Sequence, residues 1–147
     1  MAGPSTTGLA ALIAGEPWHY VGEAGEAAWA QDGGNDNWQN QFPTTANLAY
    51  RIREAGVVDV QGSIARGLGT GTDLFTLPSG YRPNSVTYYT AYALTSSDDH
   101  LAVGVGVNSA GTVEIIDGKD DPFLPSTDPI STVHLQLQIF LVSSSTP

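Results

Sequence analysis

DLFTLPSGYRP, from Asp73 to Pro83, is a short apolar strand that runs into a coded stop. Leu74, Phe75 and Leu77 are residues that suit a half-buried pleated surface. Pro78 removes a backbone donor, Gly80 permits positive φ, and Pro83 pushes Arg82 into an extended conformation. The chain must therefore leave a sheet here, and its neighbours must be strands that begin and end around this corner.

Working back from the corner, RGLGTGT (66–72) reads as a flexible glycine link. It has no Lys-Ser/Thr pair and no helical pattern after it, so it is not a phosphate-cradling loop. Before it, Leu48, Tyr50 and Ile52 alternate with Ala49, Arg51 and Arg53. The turn Glu54 to Gly56 leads into Val58, Val60, Gly62 and Ile64, which alternate with Asp59, Gln61 and Ser63. This pattern predicts an antiparallel hairpin with one face inward.

After the corner, Val86 to Leu94 predicts a tyrosine-rich strand, with Val86, Tyr88, Tyr92 and Leu94 on one face and Thr87, Tyr89, Ala91 and Ala93 on the other. TSSDDH (95–100) is a polar turn. Leu101, Val103, Val105 and Val107 then form an aliphatic row opposite a nearly bare one of Ala102, Gly104 and Gly106, against which another backbone can approach. Val113 to Ile116 follows the turn at Asn108 to Gly111. GKDDPFLPSTDPI (118–130) is a long acidic loop.

The last strand sets Val133, Leu135, Leu137, Ile139 and Leu141 against His134, Gln136, Gln138, Phe140 and Val142. The aliphatic row is core. The row containing His134, Gln136, Gln138 and Phe140 suits a subunit interface or a solvent face. The total is about seven to nine strands with no long helical pattern, an all-β antiparallel β-sandwich or jelly roll.

Composition agrees. The 147 residues hold 17 Gly and 9 Pro and are only 14% charged, too few charges for many exposed helices. The length is that of one domain. A formal charge of −10, from 15 acids against five bases, disfavours nucleic acid and anionic membranes as partners. Without cysteine there is neither a disulfide frame nor a thiolate metal site. The N-terminus lacks a basic start and has only a short apolar run from Leu9 to Gly15. No signal peptide or membrane insertion is expected, and synthesis is expected in the cytoplasm.

Residues 1–17 read as an arm, in which Leu9, Leu12 and Ile13 have one-face helical spacing and suit docking on their own domain or on a larger assembly. The domain proper runs from 18 to 147. Within it, DGGNDNWQN (32–40) is polar and amide-rich and reads as a loop rather than a strand. Trp29, Asp36, Asn37, Trp38 and Asn40 are the candidate ligand-binding residues, because an aromatic face can stack on a sugar while amides and acids bond its hydroxyls. The alternative is that both tryptophans cap the core.

Catalysis has little support. His19, His100 and His134 lie far apart with no nucleophile or zinc motif, and Asp98, Asp99 and His100 read as a hairpin tip. Among the 15 acids no motif selects a glycosidase pair. Asp32 to Asn37 offers oxygens at alternating positions, but Pro43 stands where a calcium loop needs its closing Glu, and the aspartates of 118–130 form no recognised spacing. No cofactor or metal is expected, and no enzymatic activity.

Two segments, WHYVGEAGEAAW (18–29) and the LFTLPSGYRP corner, resemble the C-terminal head domain of tailed-bacteriophage fibres and receptor-binding proteins. The resemblance covers about residues 18 to 116. It is carried by Trp18, Val21, Gly22, Gly25 and Glu26, by Asn37 and Trp38, by Val58, Val60, Gly62 and Ile64, by Gly69, and by Phe75 to Pro78 with Gly80 to Pro83.

The resemblance implies a homotrimeric β-sandwich knob on the virion surface. It contributes to host attachment, and a cell-surface glycan is the expected ligand. A second reading is a capsid or tail decoration protein, docked on other virion proteins through Leu9, Leu12 and Ile13 and lacking a receptor site. A glycan-cleaving enzyme is the third.

Overall fold

The computed structural model of the chain describes residues 16–41, 46–54, 56–69, 71–116 and 130–141. Among the described residues every regular element is a strand. In chain order these are β1 (His19–Tyr20), β2 (Gln31–Asp32), β3 (Asn35–Asp36), β4 (Trp38–Asn40), β5 (Ala49–Glu54), β6 (Val57–Arg66), β7 (Asp73–Thr76), β8 (Thr87–Thr95), β9 (His100–Val107), β10 (Thr112–Ile115) and β11 (Ile130–Phe140).

Nine of them form one antiparallel sheet in the order β1-β5-β6-β11-β8-β9-β10-β7, with β4 also on β6. The two layers expected of a sandwich are thus halves of one curled sheet. They are joined where β11, paired with β6 from Thr132 to Phe140, also pairs with β8 from Ile130 to His134 across a register shift. Beyond His134 the pairing of β11 with β8 stops, so the halves can diverge and enclose a core.

The predicted hairpin is β5–β6, with Ala49 opposite Gln61 and Ile52 opposite Val58. Leu48, Tyr50, Val58, Val60 and Ile64 point inward and are buried. At Gly62 the close approach of the chain forbids a side chain, since a Cβ there would sit 2.5 Å from the Leu48 Cα. On β8 the Ala91 and Ala93 face is the inner one, while Tyr88 and Tyr92 face out.

Leu74, Phe75 and Leu77 are fully buried, each contributing about 1.5–3 kcal/mol of apolar burial. Phe75 stacks on Tyr50 of β5 with ring centroids 5.7 Å apart. β5 and β7 stand near opposite ends of the strand order, so this contact brings the curled sheet round on itself. The segment Val21 to Ala30 fills the gap: Val21 N–H donates to the Leu48 carbonyl, Ala30 N–H to the Leu74 carbonyl, and Trp29 bridges to Phe75.

Two local expectations are corrected. Residues 38–40 are a strand, because the free edge of β6 beyond β5 accepts them, with Trp38 opposite Arg66 and Asn40 opposite Ile64. The described part of the glycine link is packed in place. Gly67 N–H donates to Asn37 O, Gly69 N–H to Asp36 O and Gly71 N–H to the Asn37 side-chain oxygen. The glycines are needed because this backbone lies directly on Asp36 and Asn37; a Cβ on Gly71 would be 2.5 Å from the Asn37 amide nitrogen.

Candidate functional site

The segment predicted to bind ligand folds as a tight hairpin, β2–β3, followed by β4. Asn37 is buried and its side chain serves backbone, with Oδ1 accepting from Gly71 N–H at 3.0 Å and Nδ2 donating to Asp73 O at 3.3 Å. Trp38 is 1% exposed, and the Arg66 guanidinium lies 4.8 Å over its ring. Burial lowers the pKa of that guanidinium. The ring face that stacking on a sugar would use is therefore covered. Asn40 Oδ1 accepts from Leu48 N–H at 2.9 Å, and Trp29 lies half-buried against Gly22. These four residues hold the loop to the sheet, which is the capping alternative for the tryptophans.

Asp36 is the member that reaches the surface. Its carboxylate accepts from Gln31 Nε2 at 2.9 Å and lines an open groove of about 290 Å3 with Gln31, Asn35, Gln39 and Leu68. Leu68 is 84% exposed. Three amides that donate and accept, one carboxylate and one apolar side chain match a ligand rich in hydroxyls with one apolar face. The amide-rich composition of 32–40 marks the segment that borders this groove; Gln31, Gln39 and Leu68 join its lining only because β4 lies beside β6.

Next to β1 lies the most connected polar group. His19 Nδ1 is 2.9 Å from Glu26, His19 Nε2 is 3.3 Å from Glu16 and 3.2 Å from the Tyr81 hydroxyl, and the Tyr50 hydroxyl donates to Glu26 at 3.2 Å. Burial opposes a charge on His19, but the hydrogen bond to Glu26 and the field of both carboxylates outweigh it and raise its pKa. Glu16 is also pushed up by burial, yet hydrogen bonds from Tyr81 and the Ile52 N–H, with the His19 charge, bring it below its usual value. Burial, then Glu16, holds the Tyr81 phenol well above its usual pKa. His19 is thus held between two carboxylates and the Tyr81 hydroxyl, a tie that joins β1 to the corner after β7.

The outer face of β8, β9 and β11 carries Tyr88, Tyr92 and Phe140, all exposed. The rings of His100 and His134 sit 5.3 and 5.7 Å from that of Tyr92. Two histidines distant in sequence thus flank one tyrosine from opposite sides, which only the β8–β9 and β8–β11 registers reveal. His134 Nδ1 is also 2.7 Å from Ser63 Oγ. Gln136, Gln138 and Phe140 are exposed, as the half-polar row of the last strand implies. Leu9, Leu12 and Ile13, and the 118–129 stretch, lie outside the described residues. Among the described residues no three His, Asp or Glu side chains gather as a metal site.

No family model matches the chain, and no curated protein matches it. Among solved structures it is similar to the head domain of phage bIL170, whose crystal structure was presented with the question of a common fold for the receptor-binding domains of lactococcal phages. The match has a TM-score of 0.47 at 16% identity and covers 79% of this chain and 97% of that one.

Proposed function

We propose that the protein is a non-enzymatic component of a tailed-phage virion, displayed on the particle surface as a homotrimer and contributing to host attachment by weak binding of cell-surface glycan. One observation carries this reading. The two sequence segments on which the resemblance to phage head domains rests form one physical unit, because Tyr81 of the corner, His19 and Glu26 meet in the clasp described above. The groove beside Asp36 has the chemistry to hold hydroxyls, and several copies per particle would multiply a weak single site. Tyr88, Tyr92 and Phe140 supply apolar area for sister copies to cover.

Purified protein applied to a glycan array, with product analysis of every glycan bound, tests the reading. Binding without turnover supports it, and cleavage of any bound glycan overturns the non-enzymatic role. The mass in solution tests the trimer: a monomer at high dilution removes it. Removing residues 1–15 separates attachment from decoration. An attachment protein keeps its glycan binding, whereas a decoration protein, which has none to lose, fails to join the particle.

A further inference from the structure

We infer that the outer face of β6 is the floor of one continuous tract that binds an uncharged, linear polysaccharide along several of its units. The inference rests on the attachment reading and extends it from a single groove to a line of three. Asp59, Gln61, Ser63 and Ala65 share the outward side of β6, of which Gln61 is exposed, Asp59 and Ala65 are part-exposed, and Ser63 is buried against His134 Nδ1 at 2.7 Å.

Gln61 faces Gln136 of β11 on one side and Ala49 of β5 on the other, and Ala49 in turn faces Tyr20. One step along, Asp59 lies between Gln138 and Arg51. These rows frame two grooves that share Gln61. One, of about 210 Å3, lies between Arg53 and the two β11 glutamines; the other, of about 160 Å3, opens toward Trp18, Tyr20 and Asn47. At the far end Ala65 faces Gln39, which lines the groove beside Asp36. From Asp59 to Ala65 the floor runs for about 20 Å, and the Asp36 groove lengthens it to roughly 30 Å, room for several sugar units.

The chemistry names the occupant. Solvated sheet faces usually carry charge, yet here the side chains between the grooves are amides, small residues and His134, with no carboxylate or ammonium, in a chain with a formal charge of −10. Arg53 is matched by Asp59 at 3.1 Å and Glu54 at 3.4 Å, and with Arg51 stacked over Trp18 the two bases here only equal the two acids, which gives a polyanion no net positive charge to bind. Amides donate and accept at once, as sugar hydroxyls do. Tyr20, 38% exposed, gives the rim aromatic surface for the apolar face of a sugar ring, whereas one face of Trp18 is already covered by the Arg51 guanidinium at 4.3 Å. The apolar Tyr88, Tyr92 and Phe140 remain for subunit contact.

The full-length protein would be titrated calorimetrically with a disaccharide-to-octasaccharide series cut from the neutral polysaccharide that binds most strongly on an array. Affinity should climb at least about tenfold between disaccharide and hexasaccharide and then level off, as added units reach new amides. Gln61→Ala and Gln136→Ala, both surface changes, should each weaken hexasaccharide binding by about three- to tenfold, and the weakening should grow with ligand length. Length-independent affinity, or two variants that bind the hexasaccharide like the parent, overturns the tract while leaving glycan attachment intact. If the array shows no saccharide binding at all, the attachment reading falls and the tract with it.

Discussion

Tyr81 and His19, separated by 62 positions in the chain, share a hydrogen bond of 3.2 Å, and Tyr50 packs against both rings, at 5.4 Å and 5.2 Å between centroids. The corner after β7 is thereby fastened to β1 and β5 rather than left as a free turn. Removing the Tyr81 hydroxyl as Tyr81→Phe keeps the ring packing and deletes the polar tie. The expected loss is about 1 kcal/mol of unfolding free energy, read from the urea midpoint at unchanged slope.

The same clasp gives a pH dependence with a defined sign. The folded pKa of His19 lies above its ordinary 6.5, so the stability it contributes is fully present below that value and is lost as pH rises through the raised folded one. Glu16 lies below its ordinary 4.5, so its contribution is present above that value and is lost as pH falls through the lowered one. Urea midpoints should therefore decline as pH rises above 6.5 in the parent, and this decline should flatten in His19→Gln. An equal alkaline decline in both proteins would assign it to other groups.

Gly62→Ala tests the close crossing of β6 and Leu48. With φ at 149° and backbone 2.5 Å from the new Cβ, neither strand can yield without breaking the bond from Ser63 N–H to Ala46 O. A loss of about 2–4 kcal/mol is expected in chemical denaturation, well beyond the cost of an ordinary glycine substitution.

Trp38 offers a contrast between two substitutions. Trp38→Ala should cost about 3–5 kcal/mol through the cavity it leaves. The buried indole N–H has no hydrogen-bond partner among the described residues, so Trp38→Phe should cost less than half as much. If the two variants lose equal stability, the ring's packing is not what Trp38 contributes.

Asn37→Ala should loosen the chain around Gly71 and Asp73 selectively. Its side chain is bonded to both, so amide exchange at Gly71 should quicken before the β6–β11 ladder is affected. Uniform acceleration across the sheet would instead mark Asn37 as part of the global core.

The strands were legible wherever one face is apolar and the other is not. Leu48 to Ile64 and Val133 to Leu141 alternate so regularly that the inward face followed from pattern, and the corner at Pro78 followed from backbone chemistry. β4 escaped because Trp-Gln-Asn has no alternation to read; its pairing depends on the β6 edge, which is supplied by another part of the chain. The amides and tryptophans of 29–40 pointed to the loop that borders the groove. The same sequence could not distinguish an Asn37 facing solvent from one bonded to a glycine 34 residues away. Nor could spacing place His100 and His134 on the two sides of Tyr92, since both reach it only through tertiary pairing.

β11 lies between β6 and β8, yet it is made after both. While a ribosome is still extending the chain, β6 and β8 wait with unfilled edges and aliphatic rows open to water, and no local pairing can close them. The half-made protein is then most exposed to wrong partners, including the same strands of neighbouring nascent copies. Biosynthesis of this fold therefore ends in a single late insertion, and chains interrupted before residue 130 are the ones expected to collect in aggregates.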